Sequence, residues 1–141
     1  MSEILKGINS IEDYAISPIV ENNWLTRTFS NKMTGAVSKY ELSIAKEIIR
    51  RKCLVGLSVD VKASIERFNK YFGWNADTDE QTQQCIRKYT AIPSIKSYDH
   101  SVEEGGMVWR ILGSINNLDL ELYEYILQLY EEQEALVTTF E

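Results

Sequence analysis

Cys53-Leu54-Val55-Gly56-Leu57-Ser58-Val59 is a short apolar run with β-branched residues. Its length and composition read as a buried strand, of the kind that sits in a parallel sheet. The backbone groups of such a strand must be paired. No second clear strand is legible in the 141 residues. Either further strands lie in the less regular stretches, or the partners are outside this chain.

The neighbouring segments read as helices. Upstream, Ser38-Lys39-Tyr40-Glu41 has the form of a capping box, in which the Ser hydroxyl accepts a free N–H and the Glu reaches back. The helix after it places Leu42, Ala45, Ile48 and Ile49 on one face. It ends in Arg50-Arg51-Lys52, which suits the negative end of the helix dipole. Downstream, Asp60 is a good N-cap, and Val61, Ile65, Phe68 and Phe72 form one stripe. Gly73 is placed to end that helix. Phe68, Tyr71, Phe72 and Trp74 read as core.

Farther out the pattern weakens. Ser17-Pro18 marks a turn or a helix limit, and residues 31–35 read as loop. Residues 74–115 are irregular: 77–88 reads as a short exposed helix, while Pro93 and Gly105-Gly106 mark loop. The last segment is clearer. Asn116 can cap it, Asp119 favours its first turn, and Leu122, Ile126, Leu129, Gln133 and Leu136 share a face.

The composition is that of a globular chain, 44% hydrophobic and 26% charged. The net charge of −6 argues against a general nucleic-acid binder, which usually carries a basic surface. The charge is unevenly divided. Residues 1–75 hold 11 Lys/Arg and 8 Asp/Glu, a net of +3; residues 76–141 hold 4 and 13, a net of −9. An anion site therefore belongs in the first half. No apolar run resembles a signal peptide or is long enough to span a bilayer. Two cysteines, Cys53 and Cys85, make no disulfide framework and no zinc motif.

Phosphate-loop, dinucleotide, nucleophile-elbow and zinc-protease motifs are all missing from the sequence. His100, the only histidine, stands in Tyr98-Asp99-His100-Ser101, where it reads as a general base or as a loop residue. Adjacent residues rarely converge as a triad. Glu103-Glu104, before Gly105-Gly106, reads as a metal-binding or acid/base pair or as a solvated loop. Arg50-Arg51-Lys52 reads as dipole compensation or as an anion site. Arg27 stands among Trp24, Leu25 and Phe29, where a partly buried guanidinium calls for an anionic partner. A structural ion pair is the plainest form of that.

Taken in order, several of these stretches resemble a known family. Asn22-Asn23-Trp24-Leu25-Thr26-Arg27, the capped helix with Ala45-Lys46, Leu54-Val55-Gly56-Leu57, the helix with Ile65 and Phe68, Phe72-Gly73-Trp74, and the ending from Asn116 to Tyr125 with Tyr130 and Gln133 are similar to the C-terminal part of a carbohydrate-type sulfotransferase, of the uronyl and heparan sulfate 2-O-like group. The resemblance covers residues 10–137. It implies an α/β, nucleotide-kinase-like fold, represented here by a mostly helical portion with one or few short strands.

The resemblance also implies sulfuryl transfer from 3′-phosphoadenosine 5′-phosphosulfate to a carbohydrate hydroxyl, in the Golgi lumen for the full-length family and without a metal. The catalytic logic would be positioning and charge stabilisation. Residues 1–141 would form a partial domain that lacks the family's phosphosulfate-binding half and is not catalytic alone. Where the family has a Thr-Glu pair after its strand, this chain has Ser58-Val59. The family's cofactor-closing loop falls around residues 98–109, with no contact residue matched there. Arg27 is the residue expected to lie near the cofactor or the sugar. The alternative is a non-catalytic helical interaction module. A partial domain would expose apolar faces, so the chain is expected to be marginally stable or oligomeric.

Overall fold

Residues 53–57 form neither helix nor strand, and their partners are side chains. The carboxamide of Gln133 donates from Nε2 to the Cys53 carbonyl (2.8 Å) and accepts at Oε1 from the Val55 N–H (2.8 Å). Ser64 Oγ accepts from the Leu57 N–H at 2.7 Å and lies 3.0 Å from the Leu57 carbonyl. A side-chain amide presents the same donor and acceptor pair as a peptide. Gln133 thus does for residues 53 and 55 what a neighbouring strand would do. This corrects the expected strand at 53–59; its last two residues, Ser58 and Val59, belong to a 3-10 turn, Ser58–Asp60.

The structure is a computed structural model that describes residues 8–74, 80–90 and 102–138. It is mostly helical, and no strand occurs among the described residues. The helices are α1 (Ile11–Ala15), α2 (Trp24–Ser30), α3 (Lys39–Lys52), α4 (Val61–Phe72), α5 (Glu80–Thr90), α6 (Met107–Ile115), α7 (Asn117–Glu132) and α8 (Glu134–Thr138). They divide into two compact units. The first holds residues 1–48 and 97–124; the second holds 49–96 and 125–141.

In the first unit, α1 packs on α6. Ala15, Leu42, Ala45, Val108, Leu118 and Leu122 are its buried apolar residues. Ile48, expected on the buried face of α3, is exposed: burial follows positions 42, 45 and 49, a narrower stripe. The α3 cap forms as the sequence suggests. Ser38 Oγ accepts from the Tyr40 N–H, while the Ser38 hydroxyl and N–H both donate to Glu41 Oε2, at 2.6 and 2.8 Å. α6 lies in a stretch that read as irregular. Its N-cap, Gly106, belongs to the expected Gly105-Gly106 turn.

In the second unit, α4 packs on α5, α8 and the 3-10 turn. Asp60 caps α4 by accepting from the Ala63 N–H, and left-handed Gly73 ends it. The buried side of α4 is not the expected Val61–Phe72 stripe. Ser64 and Arg67 are buried, whereas Val61 and Phe72 are exposed. Tyr71 and Trp74, read as core, are exposed as well. Among the described residues of this unit only Ile49, Val55, Leu129 and Val137 are fully buried apolar side chains. At roughly 1.5–3 kcal/mol each, that core is small enough for single polar bonds to matter. On the last helices Leu129 and Gln133 are buried as expected, but Leu136 is exposed.

Two outcomes follow. A Cβ on Gly56 would lie 2.6 Å from Phe68 Cζ and 2.9 Å from Ser64 Cβ, so Gly56→Ala is expected to lose about 1–3 kcal/mol in a urea melt through overpacking. The Ser38 hydroxyl bond, then the Ser38 N–H, hold the Glu41 carboxyl below its ordinary range. Its stabilisation is complete above the unfolded value of about 4.3 and is lost as pH falls through the lower folded value. In Glu41→Gln, the acid-side fall in melting temperature should be shallower than in the parent.

Candidate functional site

Asn23 begins α2 in the left-handed conformation, φ 47° and ψ 45°. This points its carboxamide away from its own helix. Asn23 Oδ1 accepts from the N–H groups of Leu118 (2.9 Å) and Asp119 (3.2 Å), the first turn of α7. Asp119 returns the bond: its two carboxylate oxygens accept from Leu25 N–H (2.9 Å) and Thr26 N–H (2.8 Å), the first turn of α2. Asn23 also donates from its backbone to Asn116 Oδ1 and from Nδ2 to the Ile115 carbonyl, both at 2.8 Å. Asn116, expected to cap α7, accepts instead from the Asn23 N–H, and Asn23 takes its place on α7; Asp119, expected as a first-turn acid of α7, caps α2. Asp119 is thus engaged in holding two helix starts together.

Arg27 lies one turn into α2 and is half-buried. Its Nε donates to the Asn22 carbonyl (2.9 Å) and Nη2 to Asn22 Oδ1 (2.8 Å). Nη1 donates to the carbonyls of Lys32 (3.2 Å) and Gly35 (2.9 Å). Every one of these acceptors is neutral, so the guanidinium ties the 31–35 loop to α2 rather than forming the expected ion pair. Four of its five N–H donors are committed. Trp24, Met33 and Arg27 line a cleft of about 280 Å³.

A second arginine escaped the sequence reading. Arg67 is buried on α4, donating to the Tyr130 carbonyl (2.7 Å) and to Glu134 Oε2 (2.6 Å), with its guanidinium carbon 3.6 Å from the centre of the Tyr130 ring. Apolar periodicity gives no signal for it, because it shares its side with Ser64. Cys53 is a free thiol. Glu103 precedes the turn into α6, where its backbone carbonyl accepts from Gly106. His100 and its neighbours, and the Cys85 side chain, lie outside the described residues. Among the described residues no group of three His, Cys, Asp or Glu is placed to hold a metal, and no helix is long and apolar enough to cross a membrane.

The second unit carries a cavity of about 260 Å³. Arg50, Arg51 and Lys52 from the end of α3 line one part of it, and Tyr71 and Phe72 from the end of α4 another. The Phe72 ring stacks on Trp74 (centroids 4.8 Å apart, planes at 20°), and Tyr71 stands edge-on to Phe72 at 4.9 Å.

Comparison with protein-family models, with curated proteins and with solved structures finds no match to the chain.

The Asn23 junction separates two costs. Asn23→Gly keeps the left-handed backbone and loses the side-chain bonds, an expected loss of about 2 kcal/mol. Asn23→Ala also strains the backbone, for about 1 kcal/mol more. Chemical denaturation measures both; equal losses would show that the conformation contributes nothing.

Proposed function

We propose that the chain is a non-catalytic helical interaction module. One observation carries this reading: Tyr71, Phe72 and Trp74 are 39%, 52% and 59% exposed and form a contiguous aromatic group on the surface. Aromatic residues and arginine are the types enriched where proteins bind each other, and they supply most of the binding energy there. The charged groups best suited to chemistry support the same reading. Asp119, Arg27 and Arg67 are bonded to backbone groups of their own units. No acid, base and nucleophile converge among the described residues.

A sulfuryl-transfer reading draws on the sequence resemblance and would make Arg27 a contact to 3′-phosphoadenosine 5′-phosphosulfate, with a carbohydrate as acceptor. Calorimetric titration with 3′-phosphoadenosine 5′-phosphate separates the two. The module reading expects no saturable heat. Micromolar binding that weakens in Arg27→Ala would overturn it.

A further inference from the structure

We infer that the open edge of residues 53–57, at Leu54 and Gly56, is a docking site for an extended segment of a partner protein, paired through its backbone and anchored by one apolar side chain. The inference rests on reading the chain as an interaction module and adds the site and the form of the partner. Cys53, Val55 and Leu57 are bonded to the side chains of Gln133 and Ser64. Bonding at every second residue is the pattern of one edge of a strand, in which the peptide groups of the residues between face the opposite way. Those residues are Leu54 and Gly56. Among the described residues neither makes a hydrogen bond through its N–H or its carbonyl. Gly56 is exposed and Leu54 half-buried, while Val55 between them is buried. Two donors and two acceptors at this spacing fit one ligand chemistry, an extended peptide backbone. The usual protection of such an edge is missing as well. Charged residues and proline blunt native edges, and residues 53–59 contain neither.

The surroundings supply an anchor. Leu54 also lines the cavity of about 260 Å³, together with Leu136 and the rings of Tyr71 and Phe72. A segment paired at Leu54 has this hollow beside it. In strand addition the main-chain bonds give affinity and side-chain pockets give specificity; here the apolar lining favours a Leu or Phe. Arg50 and Arg51 line the cavity too but have partners within the chain, so the anchor rather than a charge defines the occupant. A second copy of the chain fits less well. Two such edges would bury a few residues each, well short of the roughly 800 Å² per partner of a standard interface. Each copy would also bring a net charge of −6.

The test is amide hydrogen exchange, followed by NMR on the full chain, with the neutral peptide acetyl-Thr-Leu-Thr-Phe-Thr-Leu-Thr-amide. In the free protein the Leu54 and Gly56 amides should exchange faster than those of Val55 and Leu57, which are bonded. With peptide at about 1 mM, exchange at Leu54 and Gly56 should slow about tenfold, and Val55 and Leu57 should change little. N-methylation of the peptide at alternate residues separates backbone pairing from simple apolar contact. One alternate set carries the N–H groups that face the edge, and methylating it should abolish binding; methylating the other should leave binding within about twofold. Phe72→Ala should weaken binding about fivefold, with circular-dichroism melts to check that the variant is folded.

Unchanged exchange at Leu54 and Gly56, equal effects of the two methylated sets, or indifference to Phe72→Ala would overturn the site. So would protection that rises with protein concentration in the absence of peptide, which would make the edge a contact between copies. Failure here with a silent nucleotide titration rejects this docking site alone. Nucleotide binding that depends on Arg27 rejects the module reading itself.

Discussion

The Gln133 carboxamide, bonded at once to the Cys53 carbonyl and the Val55 N–H, shows the constraint under which this chain folds. Buried peptide groups outside helices must be paired, and among the described residues there is no sheet to pair them. Side chains take over. Gln133 and Ser64 serve the 53–57 segment, Asn23 and Asp119 serve the starts of α7 and α2, and Arg27 serves the 31–35 loop. Each of these side chains is polar, and each is held by at least two bonds. Bonded in this way, those residues are poor candidates for reactions that need a free donor or acceptor.

One buried polar atom breaks the pattern. Thr26 Oγ1 is fully buried without a hydrogen-bond partner among the described residues. Its backbone N–H is nonetheless bonded to Asp119. An unmade bond of this kind costs about 1–3 kcal/mol, comparable to what one cap contributes. The junction of α2 and α7 holds because several bonds converge on it; two to the Asp119 carboxylate and two to Asn23 Oδ1 outweigh one idle hydroxyl.

How much of this could be read from the residues depends on the range of each interaction. Caps are local. Ser38 with Glu41, Asp60 before α4, and Gly73 after it are spelled within a few positions, and all three form. The partners of residues 53–57 are not local. Gln133 lies 80 positions from Cys53, and an apolar run beside a distant Gln looks the same as a run beside a strand. The buried side of α4 was hidden for a related reason. Periodicity weighs Val61, Ile65, Phe68 and Phe72 by their apolarity, but Arg67 gains burial through a carbonyl, a carboxylate and a ring supplied from elsewhere in the chain. Asn116 was legible as a cap and Asp119 as a first-turn acid of α7; that both serve α2, in exchange with Asn23, needs a contact over more than 90 residues.

The exposed aromatics are where that exchange has a consequence for function. An aromatic side chain buries about 150–250 Å² when fully covered. Leaving half of it in water forgoes about 2–3 kcal/mol at 25 cal/mol per Å². Phe72 and Trp74 both do so, in a unit whose fully buried apolar side chains, among the described residues, are only four. A fold that places Arg67 and Ser64 against its interior, and turns two large aromatics outward, has not maximised its own core. The rings of Phe72 and Trp74 stack on each other, and both side chains still remain more than half exposed. The burial that the isolated chain forgoes is available to whatever covers these rings.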